Sequence, residues 1–221
     1  MSAAGYTPPL GYAPLTPLYD HAIGLLTRER EWRAKLVELV APKAGDRILD
    51  VGSGTGSLGM MMLEAEPACH YRGIDPDERA VSLAKAKARS AGLPAIFDVG
   101  FLSDKPLHPS QRCNVIVSSL VFHQVPAAEK KRLLQAMHEW LEPGGLLVIA
   151  DYGPQRSLLM RTAYRLTVQL LDGFADTQAN ADGILMALAR DAGLMDISTA
   201  WTLATPTGSI DILCARKAGR Q

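Results

Sequence analysis

The feature that most constrains the fold of this 221-residue chain is a short apolar run that leads directly into three closely spaced glycines. Residues 48–51 (Ile-Leu-Asp-Val) are followed by Gly52, Gly54 and Gly56. This order is typical of a buried strand that ends in a tight turn, where a Cβ atom would block both the turn and the approach of a ligand. A helix beginning near Ser57 would point its amide-rich N-terminus into the same space. The pattern predicts a parallel α/β sheet with a nucleotide-like cofactor beside the turn.

Two cofactors compete for this turn. Residues 54–59 satisfy the dinucleotide pattern G-x-G-x-x-G, and Asp75 follows at the distance expected for the acid that binds the ribose of NAD. Asp50, two residues before the first glycine, opposes that interpretation because a carboxylate there would repel the pyrophosphate of a dinucleotide. S-adenosylmethionine (SAM) instead places an α-ammonium and a sulfonium at this point, and a carboxylate attracts both. The charge of Asp50 therefore favours SAM.

From the glycine turn onward, the sequence resembles the class I SAM-dependent methyltransferases. Residues 48–56 are similar to their glycine-rich signature, 72–77 to the second strand with its ribose-binding acid, 114–123 to the fourth strand and floor loop, and 141–151 to the fifth strand and the turn before it. The likeness covers roughly residues 40–153. It is nearest to the type 11 branch, which includes the ubiquinone and menaquinone C-methyltransferases.

The resemblance implies a three-layer Rossmann-like α/β fold, in which helices cover both faces of a mainly parallel seven-stranded sheet. The order of elements agrees with this fold, because strand-like and helix-like runs alternate up to residue 151 and such alternation favours right-handed crossovers between parallel strands. The runs 196–204 and 209–216 close the chain, where the family has a C-terminal antiparallel hairpin. Dinucleotide folds do not usually carry this hairpin, so it also favours SAM.

Two segments do not follow the alternation. Residues 1–40 combine a proline-rich arm with a helix, and residues 155–180 form a lid-like helical insertion after the fifth strand. Tyr19 lies at the start of the first helix, where type 11 relatives place a tyrosine over SAM; the alternative is an ordinary helix start. Arg161 and Arg165 lie one helical turn apart and could pair with an anionic acceptor, but a solvated helix face is the simpler explanation.

Composition bounds the size, the partners and the location of the protein. With 48% hydrophobic content, residues 1–221 can bury the core of one domain, and we expect a single domain. The 23 basic and 23 acidic residues cancel, which argues against a nucleic-acid partner. The three cysteines show no metal-ligand spacing, and no apolar run approaches the length of a membrane span. Since the N-terminus also lacks a signal-peptide pattern, we expect a cytoplasmic protein without stable membrane insertion.

The resemblance assigns the cofactor contacts to the glycine turn, to the ends of the second to fourth strands and to the N-terminal helix. The predicted residues are Tyr19, Asp50, Gly52, Ser53, Gly54, Asp75, Pro76, Phe101, Leu102 and Ser118. Asp75 would accept hydrogen bonds from the ribose hydroxyls; the alternative is an Asp-Pro turn that caps the next helix. Phe101 replaces an acid that binds the adenine amino group in many relatives, so it would form a wall beside adenine or else belong to the core.

His123, just past the fourth strand, is the candidate catalytic residue. A histidine titrates near physiological pH and could act as a general base, although it could equally hold the floor loop or orient the substrate. Asp151 and Tyr152 end the fifth strand at the edge where open sheets bind ligands, and each either contacts the acceptor or serves as a polar turn residue. The sequence shows no obvious catalytic dyad, which suits a reaction that needs mainly positioning and desolvation.

These patterns predict an enzyme that transfers a methyl group from SAM to a small-molecule acceptor. The apolar character of the arm and of the insertion favours a quinone-like or lipid-like acceptor. The motifs encode neither the acceptor atom nor the oligomeric state. Two alternatives stay open: an NAD(P)-dependent oxidoreductase, which Asp50 and the hairpin oppose, and a SAM-binding protein without catalysis.

Overall fold

The computed structural model describes residues 26–105, 107–170 and 173–219, and its core is one seven-stranded sheet. The strands are β1 Arg47–Val51, β2 His70–Asp75, β3 Ile96–Val99, β4 Cys113–Ser119, β5 Leu141–Tyr152, β6 Leu194–Thr205 and β7 Gly208–Lys217. Their order in the sheet is β3-β2-β1-β4-β5-β7-β6. β1 to β5 pair in parallel, whereas β7 runs antiparallel to both β5 and β6. The predicted mainly parallel sheet with a C-terminal antiparallel hairpin is confirmed.

Helices cover both faces of this sheet. They are α1 Glu29–Val40, α2 Ser57–Ala65, α3 Glu78–Ala91, α4 Ala127–Trp140, α5 Leu158–Tyr164, α6 Phe174–Ala181 and α7 Ile184–Asp191. Buried side chains of α1, α2 and α3 form one apolar core with the sheet, and those of α4 and α7 form a second. The result is the predicted three-layer arrangement. No helix among the described residues is both long and apolar enough to cross a membrane.

The two cores arise because side chains alternate between the two faces of the sheet along each strand. On β1, Ile48 belongs to the first core and the neighbouring Leu49 to the second, because successive side chains point to opposite faces. Both faces of the parallel strands are therefore apolar, as expected for a sheet that is covered twice. Asp50 follows on the face of Ile48, so the sequence places a carboxylate inside the first core.

The segment between β5 and β6 is more divided than the predicted insertion at 155–180. α5 continues through a π-helical turn, Arg165–Gln169, before α6 and α7 follow. Gly173 and Gly183 precede α6 and α7 with φ angles of 86° and 83°, a conformation that interrupts a helix at each point. The insertion is thus a chain of short helices beside the carboxyl ends of β4 and β5.

Candidate cofactor and acceptor site

The glycine turn lies between β1 and α2, at the carboxyl edge of the parallel strands. Gly52 and Gly54 have φ angles of 75° and 52°, which L side chains rarely adopt. A Cβ atom on Gly52 would collide with the side chain of Val121, which follows β4. A Cβ atom on Gly54 would meet no heavy atom of the described residues within 4 Å, apart from its chain neighbours. One glycine is therefore required by packing inside the protein, and the other borders open space.

The turn is fastened to the end of β2. The amides of Gly52 and Ser53 donate to the carbonyl of Ile74 at 2.8 and 3.1 Å, and the amide of Gly54 donates to Asp75 Oδ2 at 2.8 Å. Asp75 Oδ1 accepts from the amide of Asp77 at 2.9 Å. Burial raises the pKa of Asp75, and these two amide bonds oppose that shift. Asp75 thus shapes the turn before any ligand is considered.

The alternative role of Asp75 as a helix cap does not match the structure. The N-cap of α3 is Asp77, whose carboxylate accepts from the amides of Arg79 and Ala80. Asp75 instead lies two residues earlier, at the end of β2, and bonds to the backbone of Gly54 and Asp77. The Asp-Pro turn exists, but the capping belongs to its second aspartate.

Asp50 is completely buried, so its carboxylate does not face open space as the charge interpretation assumed. Its Oδ2 accepts a hydrogen bond of 2.6 Å from the hydroxyl of Tyr71. Its Oδ1 has no hydrogen-bond partner among the described residues. Burial raises the pKa of Asp50 to about 7, although the hydrogen bond from Tyr71 and the charge of Arg33 oppose that shift. A buried carboxyl with one unused oxygen therefore lies one residue before the end of β1.

The remaining predicted cofactor residues divide by exposure. Pro76 is half-buried, and Phe101 is 37% exposed, which favours a wall at the edge of the site over a place in the core. Leu102 is buried in the second core, and the buried hydroxyl of Ser118 donates to the carbonyl of Val51 at 2.7 Å. Both lie behind the surface rather than on it. Tyr19 lies outside the described residues.

Asp151 is the centre of a buried hydrogen-bond network at the ends of β4 and β5. Its Oδ1 accepts a hydrogen bond from Tyr152 N at 2.7 Å and lies 2.9 Å from His123 Nδ1. Asn180 Nδ2 donates to the same oxygen at 3.2 Å. The other oxygen, Oδ2, accepts from Phe122 N at 2.6 Å. Both oxygens of this one carboxyl group therefore have neighbours able to donate to them. The sequence showed no obvious dyad, and the structure pairs two residues that lie 28 positions apart, His123 and Asp151.

The imidazole of His123 joins this network to the insertion through aromatic rings. The ring of Tyr152 lies edge-on to His123 at a centroid distance of 5.0 Å, and Tyr164 of α5 lies 5.1 Å from Tyr152. The hydroxyl of Tyr152 bonds with Thr207 Oγ1 at 2.8 Å. The inner face of α5 is therefore two rings away from the candidate catalytic residue.

Lys130 of α4 is a further buried charge close to the network. Its Nζ donates to the carbonyl of Asp176 at 2.6 Å, and its side chain has no exposed surface. Burial lowers the pKa of Lys130 to about 8, while the charges of Asp151 and Asp176 oppose that shift. Together with Asn180, this lysine ties α6 to the floor of the site.

Comparison with known sequences decides the family. A family described as "Methyltransferase domain" matches residues 25–184, well over half of the chain. The chain belongs to this methyltransferase family. The demethylmenaquinone methyltransferase of Thermus thermophilus is 29% identical over 163 residues, which cover 72% of this methyltransferase and 71% of that protein. Several relatives named only as uncharacterized methyltransferases are matched over 52 to 62% of their own length, so the chain spans little more than half of those proteins.

Solved structures share the fold. A SAM-dependent methyltransferase from Methanosarcina mazei aligns with a TM-score of 0.65 at 23% identity, over 83% of this chain and 98% of that chain. The magnesium protoporphyrin IX methyltransferase of Synechocystis PCC 6803, solved with bound S-adenosylhomocysteine, gives 0.66 at 19% identity, over 94% and 90% of the two chains. The predicted class, a SAM-dependent methyltransferase similar to the quinone methyltransferases, is confirmed, and the family match decides against the oxidoreductase.

The residues of this methyltransferase fit SAM as the methyl donor. Open space borders Gly54, and Asp50 Oδ1 is a buried acceptor without a partner among the described residues. A carboxylate offers about four acceptor positions, and Asp75 uses one on each oxygen for the backbone. Among the described side chains, none caps the N-terminus of α2, which begins directly after the turn.

Sequence reasoning missed three residues that support this site. Tyr71 holds Asp50, Asn180 holds Asp151, and Lys130 anchors α6. A signal existed for Tyr71, because it stands two residues before Gly73, which pairs with Asp50 across the sheet. Lys130 and Asn180 belong to helices whose packing the sequence does not reveal.

Proposed function

We propose that this methyltransferase transfers the methyl group of SAM to a small aromatic acceptor of quinol type, at the carboxyl edge between the glycine turn and the insertion. The observation that carries the proposal is the buried pair of His123 and Asp151 beside the ring of Tyr152. A histidine held by a carboxylate suits an acceptor whose hydroxyl must lose a proton before the methyl transfer. The relative from Thermus thermophilus is named a demethylmenaquinone methyltransferase, which supports the same substrate class.

The cofactor would be held by the glycine turn and by the ends of β2 and β3. When bound, SAM supplies a methyl group on a positively charged sulfur, which is already activated for displacement. We propose that Asp75 accepts hydrogen bonds from the ribose hydroxyls, that Pro76 and Phe101 border the adenine, and that Asp50 balances the positive charge of the donor from below the turn. Tyr19, outside the described residues, is proposed to cover the cofactor. Leu102 and Ser118 would support this surface from behind.

His123 would act on the acceptor as a general base. We propose that His123 Nδ1 donates to Asp151 and that the proton of the acceptor goes to Nε2. Loss of the hydroxyl proton raises the electron density of the acceptor ring, so that the atom facing the methyl group becomes a better nucleophile. Asp151 holds the imidazole and stabilises its protonated form.

Turnover of His123→Gln with a short-chain demethylmenaquinol tests the proposal. We expect a loss of about 100-fold or more in kcat, with binding of S-adenosylhomocysteine nearly unchanged. Ser103→Ala, at an exposed position in the same edge region, is the control. Mass spectrometry of the product identifies the methylated atom. Normal turnover of His123→Gln would remove the histidine from the chemistry, and transfer of the methyl group to no quinol would exclude the substrate class.

We also propose that residues 1–221 form a single domain, that the protein is cytoplasmic and that it has no nucleic-acid partner. One sheet from β1 to β7 supports the first statement. Cys69, Cys113 and Cys214 are free thiols, as is usual in a reducing compartment. The formal net charge of zero supports the third.

A further inference from the structure

The outer surface of the insertion carries leucines that are unusually exposed. Leu158, Leu159, Leu166 and Leu170, here called the leucine face, are 83, 72, 68 and 76% exposed. Single exposed leucines are common on proteins, but a contiguous apolar patch is rare and marks an interaction surface. This concentration of exposed leucines therefore needs a partner.

Helix geometry places these leucines on one side of α5 and its π-helical continuation. Leu166 and Leu170 are four residues apart, a spacing that makes side chains neighbours on the helix surface. Tyr164 and Val168 are buried and pack into the first core. The segment is thus apolar on two sides: one side packs into the core, and the other side faces solvent.

Basic residues border the leucine face. Residues 155–170 contain three arginines and neither aspartate nor glutamate. Arg161 and Arg165 are exposed, and the side chain of Arg156 is 63% exposed, with Asp211 3.7 Å away. Leucines flanked by arginines are the composition of helices that lie in the headgroup region of anionic membranes.

We propose that the leucine face docks reversibly on the surface of an anionic lipid bilayer. The leucines would enter the boundary between headgroups and acyl chains, and the arginines would contact lipid phosphates. Docking of this kind differs from insertion of a spanning helix. The occupant is set by charge complementarity, because a purely apolar protein partner would not need the arginines on the rim.

Docking would place the acceptor site next to the membrane. Tyr164, on the inner side of the same segment, lies 5.1 Å from Tyr152, whose ring contacts His123. An acceptor dissolved in lipid could then reach the carboxyl edge of the sheet without crossing water. This last step rests on the proposed function, whereas the docking itself does not.

Flotation with unilamellar vesicles tests the docking. The probes are vesicles of phosphatidylcholine alone and vesicles with about 30% phosphatidylglycerol, because anionic lipid provides the surface potential that attracts arginine. We expect the protein to float with the anionic vesicles and the double variant Leu166→Ser/Leu170→Ser to bind at least about tenfold more weakly. Arg165→Gln should weaken binding about fivefold.

The double variant Leu83→Ser/Ile96→Ser is the matched control, because these side chains are 59 and 60% exposed far from the leucine face. Equal binding by the two double variants, or no flotation of the wild type, would overturn the docking. So would a dimer that the Leu166→Ser/Leu170→Ser variant dissociates, since that result would show a second copy of the chain as the occupant. Calorimetry with S-adenosylhomocysteine verifies the fold of each variant, and turnover of a water-soluble quinol keeps the docking separate from the proposed function.

Discussion

The cofactor half of the site and the acceptor half are built in different ways. Around the glycine turn, the bonds join residues of one motif and its neighbouring strand, and most donors are backbone amides. Around Asp151, the partners are side chains and amides from the loop after β4, from β5 and from α6. A short motif can encode the cofactor half because backbone amides make most of its hydrogen bonds. The second half exists only when separate segments pack together.

The largest expected effect tests the acceptor half. Asp151→Asn should lower kcat about 100-fold or more, because an amide cannot satisfy the four donors and fixes the imidazole of His123 less well. The free energy of unfolding should fall by about 3 kcal/mol, as expected when a buried charged partner is lost. Binding of S-adenosylhomocysteine, measured by calorimetry, should change little.

Asp211→Asn is the matched control for that variant, since Asp211 is a buried acid of β7 whose carboxylate accepts from Thr202. It should lose stability without a comparable loss of kcat. If Asp151→Asn weakened cofactor binding as much as turnover, the two halves would not be separable.

The cofactor half is tested by a pair of aspartates in one turn. Asp75→Ala should weaken binding of S-adenosylhomocysteine by about 1.5–3 kcal/mol, the range for lost hydrogen bonds to a charged acceptor. Asp77→Ala should instead lower the free energy of unfolding by about 1 kcal/mol, because it removes the cap of α3. If both variants weakened the binding of S-adenosylhomocysteine equally, the role of Asp75 would be purely structural.

Lys130 makes stability depend on pH in the acceptor half. Its pKa of about 8 in the folded protein lies below the ordinary 10.5, so the unfolded chain binds more protons between these values. The free energy of unfolding should therefore rise with pH across this window, relative to Lys130→Met, by on the order of 1–3 kcal/mol. Urea titrations of both proteins at pH 7.5 to 10.5 measure this difference. If the free energies of unfolding of the two proteins changed equally with pH, the pKa of Lys130 would not be lowered by folding.

The smallest effect concerns Asp50. Its pKa of about 7 means that the carboxyl is largely protonated below neutral pH, and a nearby cation would lower that pKa. Binding of SAM should then release up to one proton near pH 6.5, and the affinity should increase with pH by up to about tenfold per unit below 7. Calorimetry in buffers of different ionisation enthalpy measures the number of protons released on binding. The Asp50→Asn variant should abolish this release. Unchanged proton release in that variant would separate Asp50 from the donor.

The sequence predicted the sheet, its hairpin, the three layers and the family, because these depend on strand periodicity and on glycines that the turn requires. It also located Asp75 and His123 at the carboxyl edge. It did not predict that Asp50 is wholly buried, that Asp77 rather than Asp75 caps α3, or that Asp151 holds His123. Those facts depend on which side chains become neighbours after folding.

One physical reason explains why the sequence predicted some of these features and not the others. Residues 48–56 encode a strand, a turn with positive φ angles and a helix start, because glycine adopts those angles at no steric cost. The contact of Asp151 with Asn180 joins residues 29 positions apart, and the contact of Lys130 with Asp176 joins residues 46 positions apart. Tertiary structure decided these, because a carboxylate or a lysine acquires its pKa and its role from the groups that packing brings within hydrogen-bond distance.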